Sequence, residues 1–371
     1  MQTQSKFRLL VVRLGAMGDI LHALPAVTAL RRTHPEWIID WAVEPQWRAL
    51  LAAENSTGRT SGLRSGQAQT EDPLNAQPLV DHLHFAATKQ WRKSLLSRQT
   101  LQEILSLRKA LRSAEYDAVI DLQGAVRSAV VGRMAGCGRL IGEAQPREQA
   151  ACWLFTQPVL TCGAHVIEQD LELAATIAGD ELAPVRPWLP VDPAAEAWAD
   201  TILPSGSRTA VLINPGAGWG AKRWPVERYA AVARGLAARG LHVLVNAGPG
   251  EEPLAEAIRQ QSGGAAIPLA CAMAQLIALT RRIALAIAGD TGPLHLACAL
   301  GRPVVGIYGP TDPRRNGPFG TRFKVLRNPE SRRDHTRRAE PEPGLLTIAP
   351  EAVLQAAFEL LYPETAAEIS L

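Results

Sequence analysis

The sequence predicts an α/β protein made of two successive doubly wound domains. Three observations lead there. The chain opens with an apolar strand, a glycine turn, a helix and a second strand, and this order predicts a parallel sheet. A second run of the same kind starts after residues 181–193, a stretch that holds four prolines. The length of 371 residues exceeds what one domain of about 100–200 residues uses. Hydrophobic residues make up 47% of the chain and charged residues 20%, which excludes disorder, collagen and a small disulfide scaffold. A net charge of only +3 gives no overall field that would dictate nucleic-acid binding, and no nucleic-acid partner is expected.

Residues 7–13 (FRLLVVR) read as a buried strand ended by Gly15. Residues 20–32 have helical apolar spacing, with Pro25 in the first turns, and residues 37–43 read as the next strand. Residues 54–78 are rich in Ser, Thr, Gly, Gln and Asn and read as a flexible excursion, because they offer too little apolar surface to order themselves. Apolar alternation returns at 79–85. An amphipathic helix is expected at 101–114, a buried strand at 118–122 (AVIDL) and a helix at 126–134. In the second half, strands are expected at 209–213, 241–246, 285–288 and 304–308, and helices at 226–239, 251–261, 293–300 and 351–361. Gly240 stands where a helix stop is expected. The domain boundaries expected are 1–185, a linker at 186–207, a second domain at 208–350, and a terminal helix and tail at 351–371.

The five cysteines include no C-x-x-C pair, which reads as a reduced, cytosolic chain with buried thiols and no zinc site. No run approaches about 18 apolar residues, so no membrane span is expected, and the first residues lack the features of a signal peptide.

In doubly wound sheets, ligands sit beyond the carboxyl ends of the strands, and two such domains with a cleft between them suit a ligand that bridges both. Four segments lie there. Gly15-Ala16-Met17-Gly18-Asp19 is not a dinucleotide fingerprint. Asp19 would repel a phosphate at that helix mouth; it is either a cap for the following helix or a general base facing the cleft. His22, one turn later, shares that wall or belongs to the core. The second segment, Asn214 to Pro225 (NPGAGWGAKRWP), satisfies G-x-G-x-x-A only formally. Residues 222–225 separate its glycines from the helix, and the next strand ends in Asn246 rather than an acid. Lys222 is then either a surface lysine or a cation for an anionic phosphate. The third segment, Gly289-Asp290-Thr291-Gly292-Pro293-Leu294-His295, opens a helix whose Thr291 and Gly292 N–H groups would suit a diphosphate. Asp290 could bind a sugar hydroxyl there, Thr291 reads as the helix cap, and His295 could simply be packed. In the fourth, Gly248-Pro249-Gly250-Glu251-Glu252, Glu251 is a helix-dipole partner or a ribose ligand.

Together these segments resemble glycosyltransferase family 9, the ADP-heptose:lipopolysaccharide heptosyltransferases of the Gram-negative envelope. Arg13 to Pro25 (RLGAMGDILHALP) looks like the family's first signature, and its Met-Gly-Asp-x-Leu-His form resembles the heptosyltransferase I branch more than the II branch. Asp121-Leu122-Gln123-Gly124 with Arg127-Ser128 looks like the second. Lys222-x-Trp224-Pro225, Asp290-Thr291-Gly292 and Tyr308-Gly309-Pro310-Thr311-Asp312-Pro313 resemble the later motifs. The likeness runs from Arg8 to about Leu361. It departs from the family at residues 54–78, and at Gly218-Trp219-Gly220, where heptosyltransferase I tends to carry threonine and charged residues.

The resemblance implies a GT-B fold, two Rossmann-like domains facing across a cleft, with acceptor on the first and nucleotide sugar on the second. It implies inverting, metal-independent transfer, without a cofactor, from ADP-heptose to a Kdo residue of the lipopolysaccharide inner core. By matching motifs Asp19 is the base. Lys222, Glu251, Asp290, Thr291, Gly292 and His295 fall to the donor, and Gly18, His22, Gln123, Arg127 and Arg147 to the acceptor. The expected partners are an ADP-sugar and Kdo-lipid A at the inner membrane. The expected place is the cytoplasm, or its boundary with the inner face of that membrane. Rival readings are another donor or acceptor within the family, such as heptosyltransferase II, a nicotinamide-dependent oxidoreductase, and a catalytically dead sugar-nucleotide binder. The basic set Lys89, Arg92, Lys93, Arg98, Arg108, Lys109 and Arg112 reads either as a face for an anionic surface or as a solvated helix face. Arg332, Arg333, Arg337 and Arg338 read as a charged linker.

Overall fold

The computed structural model describes residues 6–53, 78–203, 209–333 and 338–363. The expected excursion, apart from Pro78, and Arg337 lie outside the described residues. The chain divides into two compact units, Met1–Asp192 and Pro193–Leu371.

In the first unit, β1 (Arg8–Val12) leads to α1 (Met17–Thr33) and β2 (Ile38–Val43). Then follow β3 (His82–Phe85), α2 (Thr88–Trp91), α3 (Arg98–Ser113), β4 (Ala118–Asp121), α4 (Val126–Met134), β5 (Leu140–Glu143), β6 (Gln157–Val159) and α5 (Val166–Ala178). The six strands are parallel, in the order β3-β2-β1-β4-β5-β6. Leu9 of β1 is in register with Ile39 on one side and Ala118 on the other. A strand paired on both edges and covered on both faces must be apolar throughout, and Leu9 to Val12 are fully buried. Leu10 and Val12 share a core with Leu107 and Leu111 of α3 and Ala129 of α4. Helix α1 runs through Pro25, which forfeits one backbone bond inside an otherwise buried helix.

The second unit starts with α6 (Pro193–Ile202), which lies within the stretch expected to link the domains. Its Ala195 and Ala199 pack on Ala278, and its Glu196 pairs with Arg281 and Arg282 at 2.5 Å each. Then come β7 (Ala210–Asn214), α7 (Val226–Ala237), β8 (His242–Ala247), α8 (Glu252–Gln261), β9 (Ala266–Ala270), α9 (Met273–Thr280) and β10 (Leu285–Gly289). The unit ends with α10 (Gly292–Ala299), β11 (Val304–Tyr308), α11 (Pro313–Asn316), β12 (Phe323–Arg327) and α12 (Pro350–Leu361). Its strands are also all parallel, in the order β12-β11-β10-β7-β8-β9. Helix α12 joins this core, with Val353, Ala357 and Leu360 packed among residues such as Tyr229 and Leu236.

Counted from its own first strand, each sheet has the order 3-2-1-4-5-6. The direction of winding reverses between the first and fourth strands, at β1/β4 and at β7/β10, where doubly wound sheets bind their ligands. Among the described residues no helix is long and apolar enough to cross a membrane. All five cysteines are free thiols, but the expected burial holds only for Cys298. Cys162 is exposed and the other three are half-buried.

Candidate functional site

In the first unit the chain leaves β1 through Gly15, whose φ of +146° is open to glycine alone. A Cβ there would also lie 2.6 Å from the Trp47 indole nitrogen. The turn delivers Asp19 to the first turn of α1. There its Oδ2 accepts the Ala16 N–H at 3.0 Å, so the capping role is real. Its Oδ1 lies 3.6 Å from Arg13 Nη2, in a loose pair that leaves the Asp19 side chain 35% exposed. Arg13 itself is buried, its carbonyl accepting the Trp41 indole N–H at 3.0 Å. Its Nε has no hydrogen-bond partner among the described residues. Gly18 is half-buried in the same turn.

The loop after β4 faces this turn. Gln123 Oε1 accepts the Leu14 N–H at 2.8 Å and so ties the two sides of the switch point together. Asp121 Oδ1 accepts three bonds, from the Ser128 hydroxyl and from the Gln123 and Gly124 N–H groups. Its buried Oδ2 has no hydrogen-bond partner among the described residues. Burial pushes this carboxyl up to about 6, against those hydrogen bonds and the charge of Arg13. Glu148 accepts the Val126 N–H at the start of α4 and donates its own N–H to Gly124 O, both at 2.9 Å. This sets the loop carrying Arg147 beside the helix carrying Arg127, and both arginines are exposed. Gly18, Asp19, Gln123, Arg127 and Arg147 therefore belong to the segments around the ends of β1 and β4. His22 does not reach that surface: it is buried, edge-on to His165 with ring centroids 5.6 Å apart.

In the second unit a short 3-10 turn, Gly220–Lys222, follows β7, and α7 begins only at Val226, so the glycines do not open a helix. Lys222 is no surface lysine. Its Nζ is paired with the Asp290 carboxylate, both side chains being nearly buried, and lies 4.4 Å from the centroid of the Trp219 ring. Asp290 directly follows β10, and His295 Nε2 is 3.3 Å from its other oxygen. Burial alone would raise the Asp290 carboxyl. The His295 bond and the charges of Lys222 and His295 outweigh it and hold the group well below the usual carboxylate range. His295 is thus buried behind Asp290. Thr291 occupies the cap position of α10, but its hydroxyl donates to Gly289 O rather than capping. The first N–H groups of α10 are those a helix start leaves without intrahelical partners.

Glu251 ends its loop at the start of α8, with its Oε2 accepting the Gly248 N–H at 3.1 Å. A Cβ on Gly216 would collide with this carboxylate, so that glycine is what admits the acid to the end of β7. At the end of β8, where a dinucleotide ribose needs an acid, Asn246 donates to Asn214 Oδ1 at 2.9 Å. Among the described residues no group of three or more His, Cys, Asp or Glu could hold a metal ion.

Three features were not foreseen from the sequence: the Arg13 partner of Asp19, the Asp121 oxygen without a hydrogen bond, and the Trp219 ring over Lys222. Arg13 and Asp121 each carried a signal, a charged residue at the end of a buried apolar strand.

The first half of the set offers a partly exposed carboxylate, and the second a nearly buried cation at a helix start. Comparison with known proteins identifies the family. The model of glycosyltransferase family 9 (heptosyltransferase) matches residues 104–345. The chain is 30% identical over 335 residues to lipopolysaccharide heptosyltransferase 1 of Escherichia coli K12, covering 87% of this chain and 94% of that one. It is 27% identical to lipopolysaccharide heptosyltransferase 1 of Pseudomonas aeruginosa, covering 84% and 81%. The structure of E. coli heptosyltransferase WaaC with ADP matches with a TM-score of 0.75 at 26% identity, covering 95% of this chain and 100% of that one. The fold is accordingly of the GT-B class, and the chain, a transferase, belongs to glycosyltransferase family 9 (heptosyltransferase).

Proposed function

We propose that this enzyme transfers a heptose from ADP-heptose to a Kdo residue of the lipopolysaccharide inner core, with inversion, in a single displacement. The observation that carries the reading is the pair of switch points, with Asp19 partly open to solvent in one sheet and Lys222 held against Asp290 beside the start of α10 in the other. Asp19 takes the proton of the acceptor hydroxyl. The oxygen bonds to the anomeric carbon as the bond to the diphosphate breaks, and the electron pair leaves with ADP. Lys222 and the Thr291 and Gly292 N–H groups stabilise the charge that grows on the diphosphate. Glu251 binds the ribose, and Asp290, backed by His295, orients Lys222. Gly18, Gln123, Arg127 and Arg147 hold the anionic acceptor, and His22 supports α1 from within. With a fixed cation and helix N–H groups at the leaving group, no metal is called for. The acceptor's lipid sets the place of work at the cytoplasmic face of the inner membrane.

The test is transfer from ADP-heptose to Kdo-lipid A in EDTA, read as the mass of the lipid product. A gain of one heptose is expected. No gain, with the donor still bound, overturns the acceptor. A second reading, another donor sugar, rests on Trp219 over Lys222, and failure of every ADP-heptose to bind would favour it.

A further inference from the structure

The segment from α2 to the end of α3 presents four leucines to solvent: Leu95, Leu96, Leu101 and Leu105, with Leu96 93% exposed. Its seven cations, Lys89 to Arg112, are all exposed as well. Single exposed leucines are ordinary on any surface, but four of them among seven cations within one short segment are the composition that marks an interaction face. Leu101 and Leu105 stand one helical turn apart, with Arg98, Arg108 and Lys109 three or four residues from them, so they share a stripe.

The segment is pinned beneath. Thr100, Leu107 and Leu111 are buried on the inner side of α3. The buried Trp91 donates its indole N–H to Glu103 Oε2 at 2.7 Å, and the Ser94 and Ser97 hydroxyls bond Thr100. These contacts fasten the turn of residues 92–97 to the start of α3 and leave Leu95 and Leu96 standing outward. Glu103 is the one acid between Thr88 and Ser113, and it is committed to Trp91 and Gln99. A merely solvated helix face mixes charges of both signs, because like charges three and four residues apart repel. Here the cations have no acid of their own segment left to meet.

We infer that residues 88–113 are a docking face for an anionic lipid bilayer, on which the leucines enter the headgroup boundary and the cations meet the lipid phosphates. This rests on the reading of a lipid-linked acceptor and names the surface that brings the enzyme to it.

The test is co-sedimentation of the full chain with vesicles of phosphatidylcholine alone and of phosphatidylcholine with about one-third phosphatidylglycerol. Binding is expected only to the anionic vesicles, falling steeply as salt rises from about 0.1 to about 0.5 M. The variant Leu95→Ser/Leu96→Ser/Leu101→Ser/Leu105→Ser is expected to bind about tenfold more weakly or worse, with transfer to a delipidated acceptor unchanged. Lys89→Gln/Arg92→Gln/Lys93→Gln/Arg98→Gln is expected to remove most of the salt-sensitive binding. The inference is overturned by equal binding to both vesicles, by binding to neither, or by both variants binding like the parent. Release of the chain from vesicles by the soluble acceptor sugar phosphate also overturns it, since the face then belongs to the acceptor. Vesicle binding without transfer to any acceptor sinks the proposed reaction and leaves the docking face standing, and transfer without vesicle binding does the reverse.

Discussion

Asp121 is the last residue of the fourth strand in one sheet, and Asp290 directly follows the fourth strand of the other. The two sheets share one strand order, and both carboxylates are buried. Yet Asp121 is pushed up to about 6, whereas Asp290 is held well below the usual range. Burial raises both and is therefore not what separates them. Asp290 has Lys222 and His295 in contact, while Asp121 has neutral donors and one oxygen without a hydrogen bond. The same frame thus builds a fixed ion pair in the second unit. In the first it leaves the compensating cation, Arg13, loosely shared with the partly exposed Asp19. A tight buried pair suits holding a leaving diphosphate, and a carboxylate with a loose partner suits accepting a proton.

The largest effect should come from taking the cation out of the second unit. Lys222→Met should lower turnover by about 100-fold or more. It should also cost about 3 kcal/mol of stability, because Asp290 stays buried with only His295 beside it. Adding Asp290→Asn should return part of that stability and none of the turnover. Urea unfolding with steady-state kinetics reads both, and an unchanged stability in Lys222→Met would mean that the pair is not formed.

Effects on stability alone, of opposite sign, should appear with pH. The folded pKa of Asp121 is raised, so its contribution is full below the unfolded value of about 3.9 and is lost as pH rises through about 6. Replacing it with Asn should therefore make the variant gain on the parent by roughly 3 kcal/mol between about pH 4 and about pH 7. Asp290 is depressed, so its contribution is present above about 3.9 and is lost as pH falls through its folded value. Asp290→Asn should then lose most against the parent at neutral pH. A pH-independent difference for Asp121→Asn would contradict the assignment.

Much of this was legible in the sequence because the central strands must be apolar on both faces. β1, β4, β7, β8, β10 and β11 all read as apolar runs, and the strands at the rims of the sheets did not. β6 (QPV), β9 (AIPLA) and β12 (FKVLR) are only partly buried and carry Pro or charge, while β5 (LIGE) has just two apolar residues before Gly142 and Glu143. Helix α5 has readable spacing in Ile167, Leu171, Ala174 and Ile177, but it is capped by His165 rather than by a usual cap residue. The site was legible wherever a residue follows a strand, as with Asp19, Lys222 and Asp290. It was not where a contact joins distant segments, as in Gln123 to Leu14, or where a side chain turns inward, as His22 does.

The proposed transfer depends most directly on Asp19 as the base. Single-turnover transfer by Asp19→Asn, measured beside its affinity for ADP-heptose, tests this with the α1 cap largely kept, since the amide oxygen can still accept the Ala16 N–H. The expected result is a rate about 100-fold lower or worse with donor affinity unchanged. A rate within about tenfold of the parent would contradict that role for Asp19.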